Sequence, residues 1–176
     1  MFLVSTVNDE IQKRGVLTVR IVKYKTKLTE EGLAVLEKES SKNYPNIDKK
    51  IASPESAYLI ARDLLKMHEE TEEYMQMLCM NNKNVVTGIL QISHGNVNSA
   101  IVGTREVFQK ALLANAVSII LMHNHPSGDP MPSNEDIKVT ERLVEAGKLL
   151  GVNVLDHLVI GRGRYVSLKE TGRMSG

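Results

Sequence analysis

The twenty residues from Val117 to Asp136, V-S-I-I-L-M-H-N-H-P-S-G-D-P-M-P-S-N-E-D, constrain this chain more than any other stretch. An apolar run, Val117 to Met122, has the length of a buried strand. It ends directly in His123-Asn124-His125-Pro126. Side chains two apart on an extended segment share a face, so His123 and His125 project together while Asn124 turns away. A loop stiffened by Pro130 and Pro132 leads to Ser133-Asn134-Glu135-Asp136, which opens a helix-like periodic segment. Each half has an ordinary explanation. A His pair after a strand is usually a solvated turn, and Ser-x-x-Asp is a helix-start signature with an acid suited to the helix dipole. Their adjacency favours a metal: two imidazoles and a carboxylate, with the fourth position left to water, make a catalytic zinc arrangement.

The same residues carry a resemblance. His123-x-His125-Pro126, six residues, then Ser133-x-x-Asp136 resembles the metalloprotease motif of the JAB/MPN (JAMM) domains. The longer string H-N-H-P-S-G-D-P-x-P-S-x-x-D, with Val154-Leu155-Asp156-His157-Leu158-Val159-Ile160 downstream, resembles the RadC family in particular, over residues 51 to 172. The resemblance implies an α/β fold of the cytidine-deaminase-like kind, a mixed sheet flanked by helices. It implies zinc held by His123, His125 and Asp136, and a hydrolase related to peptidases and isopeptidases. The family's historical name points to DNA repair, a label these residues do not themselves support.

A zinc-activated water needs a base. His68-Glu69-Glu70-Thr71-Glu72-Glu73 precedes the apolar run Tyr74 to Met80. Such an acidic cluster is usually a solvated helix end, but beside a metal an acid at the start of a buried strand can face the site. In the family the catalytic Glu stands just before an aromatic-containing strand, and that pattern selects Glu73. Glu72 is the alternative, because a one-residue slip swaps faces. The expected mechanism gives Glu73 the role of base then acid, and Ser133 that of hydroxyl donor to the oxyanion of an attacked amide. A zinc deaminase would need Pro-Cys-x-x-Cys ligands, and this chain has one cysteine. A non-catalytic scaffolding or DNA-associated module is the competing reading.

The remaining chain reads as support for this site. Residues 51–176 form the RadC-type domain, and residues 1–50 an N-terminal strand and helix extension. Gly15 to Val22 reads as a strand, Lys23, Lys25 and Lys27 as a solvated strand edge, and Leu28 to Lys42 as a short helix. Ser53-Pro54-Glu55 starts a helix. Asn81 to Asn84 turns a hairpin between Tyr74–Met80 and Val85–Ile92. His94 reads as a surface turn residue, Thr104 as a helix N-cap, and Asp156–His157 as a fold-supporting hydrogen-bonded pair. Net charge +1, 4% aromatic residues and no Trp argue for weak or no intrinsic DNA binding, while the resemblance implies a peptide or protein substrate. Lone Cys79 inside an apolar run fits a reducing cytoplasm. The first ten residues lack signal-peptide features, and no apolar run is long enough to span a membrane. An exposed edge from the N-terminal strand suits a homodimer.

Overall fold

The computed structural model describes residues 18–45, 50–95 and 102–174. Its centre is a seven-stranded mixed sheet in the order β2-β1-β4-β3-β5-β6-β7. The strands are β1 (Thr18–Leu28), β2 (Ala34–Pro45), β3 (Tyr74–Met80), β4 (Val86–His94), β5 (Ser118–Asn124), β6 (Asn153–Ile160) and β7 (Tyr165–Ser167). Strands β1/β4 and β5/β6 pair parallel, and the other neighbours pair antiparallel. Three helices flank it: α1 (Pro54–Leu59), continued by a π turn (Ile60–Leu64), α2 (Thr104–Leu113) and α3 (Asn134–Leu150). This is the mixed α/β architecture that the sequence implies.

Both sheet faces are covered, which explains why β3 and β5 read as continuous apolar runs. Successive side chains enter opposite cores. Met75, Met77 and Cys79 join Ile119 and Leu121 beneath Val107, Phe108 and Ala111 of α2 and Val139 and Leu143 of α3. Leu78, Met80, Ile120 and Met122 pack on the other side, against Ala57, Tyr58, Ile60, Ala61 and Leu64. Cys79 is fully buried, and burial pushes its thiol up to about 12. It is an inert packing residue, since the thiolate is the reactive form.

Several local readings hold. Ser53 caps α1 and shares a capping box with Ser56. The turn at Asn81–Asn84 joins β3 to β4. Three readings need correction. The segment Leu28–Lys42 is not a helix: it turns over at Thr29–Leu33 and returns as β2, paired with β1 along its length. The missed signal is Gly32, whose φ of 79° suits the turn that lets the strands pair. Ladder hydrogen bonds to β1 then override a weak local helical preference. Thr104 is the first helical residue of α2 and Gly103 is the N-cap, with no side-chain cap bond.

Lys25 and Lys27 are exposed as expected and Lys23 is half-buried, yet β1 lies inside the sheet and the edge belongs to β2. Lys25 and Lys27 both reach Glu37 on β2, at 3.1 and 3.0 Å. Exposed pairs of this kind contribute little stability. Residues 15–17 of the expected first strand lie outside the described residues. Among the described residues no helix is long and apolar enough to cross a membrane.

Candidate metal centre

Strand β5 runs two residues further than its apolar core, so His123 and Asn124 are its last members. His125 follows at once, its N–H donating to the Ile160 carbonyl at the end of β6 (2.9 Å). The loop then folds onto the turn after β6. Gly128 accepts from the Arg162 N–H at 3.0 Å, and a Cβ at Gly161 would lie 2.5 Å from the Gly128 carbonyl. Only glycine permits that approach. The chain returns at Ser133, the N-cap of α3, and Asp136 sits three residues into the cap.

The three expected ligands meet. His123 Nε2 and His125 Nε2 are 3.0 Å apart, His123 Nε2 and Asp136 Oδ1 3.4 Å, and His125 Nε2 and Asp136 Oδ2 3.7 Å. A tetrahedral ion with bonds of about 2.0–2.1 Å holds its ligand atoms about 3.3–3.4 Å apart, close to the spacing of the two Nε2 atoms and of His123 Nε2 from Asp136 Oδ1. His123 and Asp136 are buried and His125 is partly exposed, so the cage is reached from the His125 side. The His125 Nδ1 contacts the Asp129 carbonyl at 2.8 Å. A carbonyl only accepts, so Nδ1 carries the proton and neutral His125 presents a bare Nε2 to the cage. Among the described residues this is the one group of His, Cys, Asp and Glu side chains arranged to hold an ion.

Electrostatics agrees with that geometry. Burial alone would raise the Asp136 carboxyl, but the His123 and His125 rings and the Ser133 hydroxyl hold it far below the usual carboxylate range. Asp136 first, then the Asp129 carbonyl and the Glu73 charge, raise the His125 ring against the opposing effect of its burial. The site is therefore built around a stable carboxylate that attracts positive charge.

Ser133 and Asp136 form a capping box. Asp136 Oδ2 accepts from the Ser133 N–H and from its hydroxyl, both at 2.7 Å, and the Asp136 N–H donates to Ser133 Oγ at 3.1 Å. One carboxylate thus caps a helix and offers its other oxygen to the cage.

Glu73 lies immediately before β3 and is half-buried. Met75 pairs with His123 across the antiparallel β3/β5 ladder, and continuing that register sets Glu73 opposite His125. Opposed residues of an antiparallel pair share a face. Glu73 is thus on the histidine side, whereas the exposed Glu72 pairs with His94. His94, at the exposed end of β4, also stacks on Tyr74, with ring centroids 4.3 Å apart.

Two supporting residues escaped the sequence reading. Asn124, which turns away from the cage, clamps the segment that enters β3: its Oδ1 accepts from the Tyr74 N–H (2.8 Å) and its Nδ2 donates to the Glu72 carbonyl (2.9 Å). We predict that Asn124→Ala, which removes the partner of both partly buried main-chain groups, costs about 1 kcal/mol of stability with zinc content unchanged. Denaturant unfolding beside metal analysis checks this, and wild-type stability would rule the clamp out.

The second is Thr140, which meets His157. The Asp156–His157 expectation is right only for the main chain: Asp156 Oδ1 accepts from the His157 N–H at 2.7 Å. The His157 ring bonds His123 Nδ1 through Nε2 (2.8 Å) and Thr140 Oγ1 through Nδ1 (2.6 Å). Burial brings this ring down to about 3, so it is neutral. Alternation of side chains could have flagged His157, since it shares a face with Val159 on the α3 side; nothing in the local sequence flags Asn124.

The family model for the RadC-like JAB domain matches residues 51–173. A UPF0758 protein of Methanosarcina barkeri is 50% identical over 124 residues, 70% of this chain and 53% of that protein. One from Methanococcoides burtonii is 51% identical over 128 residues, 72% of this chain and 55% of its own. One from Caldanaerobacter subterraneus subsp. tengcongensis is 42% identical over 170 residues, 94% of this chain and 70% of its own. The chain spans about half the length of most of these curated relatives. With its sheet, its His-x-His strand end and its capped aspartate all accounted for, the chain belongs to the RadC-like JAB domain family.

Proposed function

We propose that this chain is a zinc-dependent hydrolase of the JAMM type that cleaves a peptide or isopeptide bond in a peptide or protein substrate. The observation that carries the reading is the cage itself: two imidazole nitrogens and a carboxylate oxygen at tetrahedral spacing, one side accessible, with Glu73 across the ladder. Two neutral nitrogens and one carboxylate form a donor set suited to zinc. Bound there, zinc supplies a Lewis acid and brings the acidity of water near neutrality.

The chain's own residues supply the rest. His123, His125 and Asp136 hold and orient the ion. Glu73 takes a proton from the attacking water and returns it to the leaving amine, as a positioned carboxylate can. Ser133 has its hydroxyl proton committed to Asp136 at rest. On substrate entry it turns to donate to the carbonyl oxygen, where negative charge develops, while its N–H keeps Asp136 in place.

The test is an assay of zinc-loaded protein against peptide and isopeptide-linked substrates. We expect cleavage that a chelator abolishes and added zinc restores. In parallel, duplex DNA binding should be weak and largely gone at physiological salt, given a net charge of +1. Tight, salt-resistant DNA binding by a chain that takes up zinc but cleaves neither substrate class would replace this reading with that of a DNA-associated module.

A further inference from the structure

We propose that Thr140 and His157 are positioning residues that decide which nitrogen of His123 faces the cage, an inference resting on the metal-centre reading above. The argument begins at a group that cannot donate. The Asp136 carbonyl lies 2.6 Å from Thr140 Oγ1, and a carbonyl only accepts, so the hydroxyl hydrogen is spent on it. Thr140 Oγ1 can then only accept from His157, so their 2.6 Å contact carries its hydrogen on His157 Nδ1. A neutral ring protonated at Nδ1 is bare at Nε2. The 2.8 Å contact from His157 Nε2 to His123 Nδ1 therefore takes its hydrogen from His123. A His123 ring with a single proton therefore presents an unprotonated Nε2, the atom that points at His125 and Asp136.

The opposite polarity fails on the same distances. If the Thr140 hydroxyl donated to His157, two oxygens 2.6 Å apart would share no hydrogen. His157 Nε2–H would then donate to His123 Nδ1, leaving the His123 proton on Nε2, inside the cage. Thr140, His157 and His123 each have 0% exposure, so no bulk water can substitute for a missing partner. The chain starts on the main-chain carbonyl of one proposed ligand and ends by setting the tautomer of another. Outer hydrogen bonds of this type fix ring orientation and ligand basicity.

The experiment uses the whole chain, 15N-labelled, with histidine tautomers read by long-range proton–nitrogen NMR and zinc affinity by competition with a chromophoric chelator. We expect His157 to carry its proton on Nδ1 with or without zinc. Thr140→Val keeps the shape but removes the acceptor, and should weaken zinc binding roughly 10–100-fold. Thr140→Ser, which retains the hydroxyl, should recover most of that loss. A His157 proton on Nε2, a valine variant with wild-type affinity, or a serine variant as weak as the valine would each overturn the inference. A wild-type chain that takes up no zinc would overturn the proposed function instead, and the His157 tautomer would then decide the present inference alone.

Discussion

A His123→Ala chain should contain no stoichiometric zinc, whereas the wild-type chain should hold about one ion, as a three-ligand site implies. His123 is buried and shares contacts with both His125 and Asp136, so no other side chain among the described residues is placed to replace it. Its removal also strands the Nε2 of His157. The variant should therefore lose stability as well, by about 1–3 kcal/mol for an unsatisfied buried group, plus the cost of the cavity. His125→Ala separates the two effects, because His125 is partly exposed and its loss affects the cage more than the core. The wild-type protein should be stabilised by about 2.7 kcal/mol when free zinc is a hundred times its Kd, and both variants should show no such gain. His68→Ala and His94→Ala, whose rings pair with Glu69 and Glu72 instead, should bind zinc normally. Metal analysis with thermal unfolding checks all four, and equal loss at every histidine would mean that the cage has been misplaced.

The second large effect is at Glu73. Glu73→Gln keeps size and hydrogen-bonding capacity but removes proton acceptance. Zinc content and melting temperature should survive, while hydrolysis falls roughly 10²–10⁴-fold, the usual contribution of a positioned acid–base group. Glu72→Gln should leave the rate nearly unchanged, because Glu72 is exposed and occupied with His94. The reverse outcome would move the role by one residue. Full activity in both variants would remove this segment from the mechanism.

Legibility in the sequence followed the range of the interactions. The cage was readable because His123, His125 and Asp136 sit on one short strand–loop–helix segment whose local rules are strong: alternation, proline stiffening, a capping box. The two-faced strands β3 and β5 were readable from unbroken apolar runs. The β1–β2 hairpin was misread as part helix because its stability comes from pairing between strands, which leaves only a weak periodic signature in each. Asn124 and Thr140 were invisible as site residues. Their partners, Tyr74 and His157, are brought to them by sheet register and helix packing. No spacing rule encodes such contacts.

The site therefore has two origins, and this bears on how such a chain can diverge. The residues proposed to hold the ion travel together on one short stretch, whereas the proposed base Glu73 depends on a distant strand keeping its register against β5. A descendant could lose turnover through a single slip or substitution before β3 and still inherit an intact, folded ion site. On the proposed mechanism, the segment ahead of β3 is where a change from enzyme to mere ion-binding module would be written.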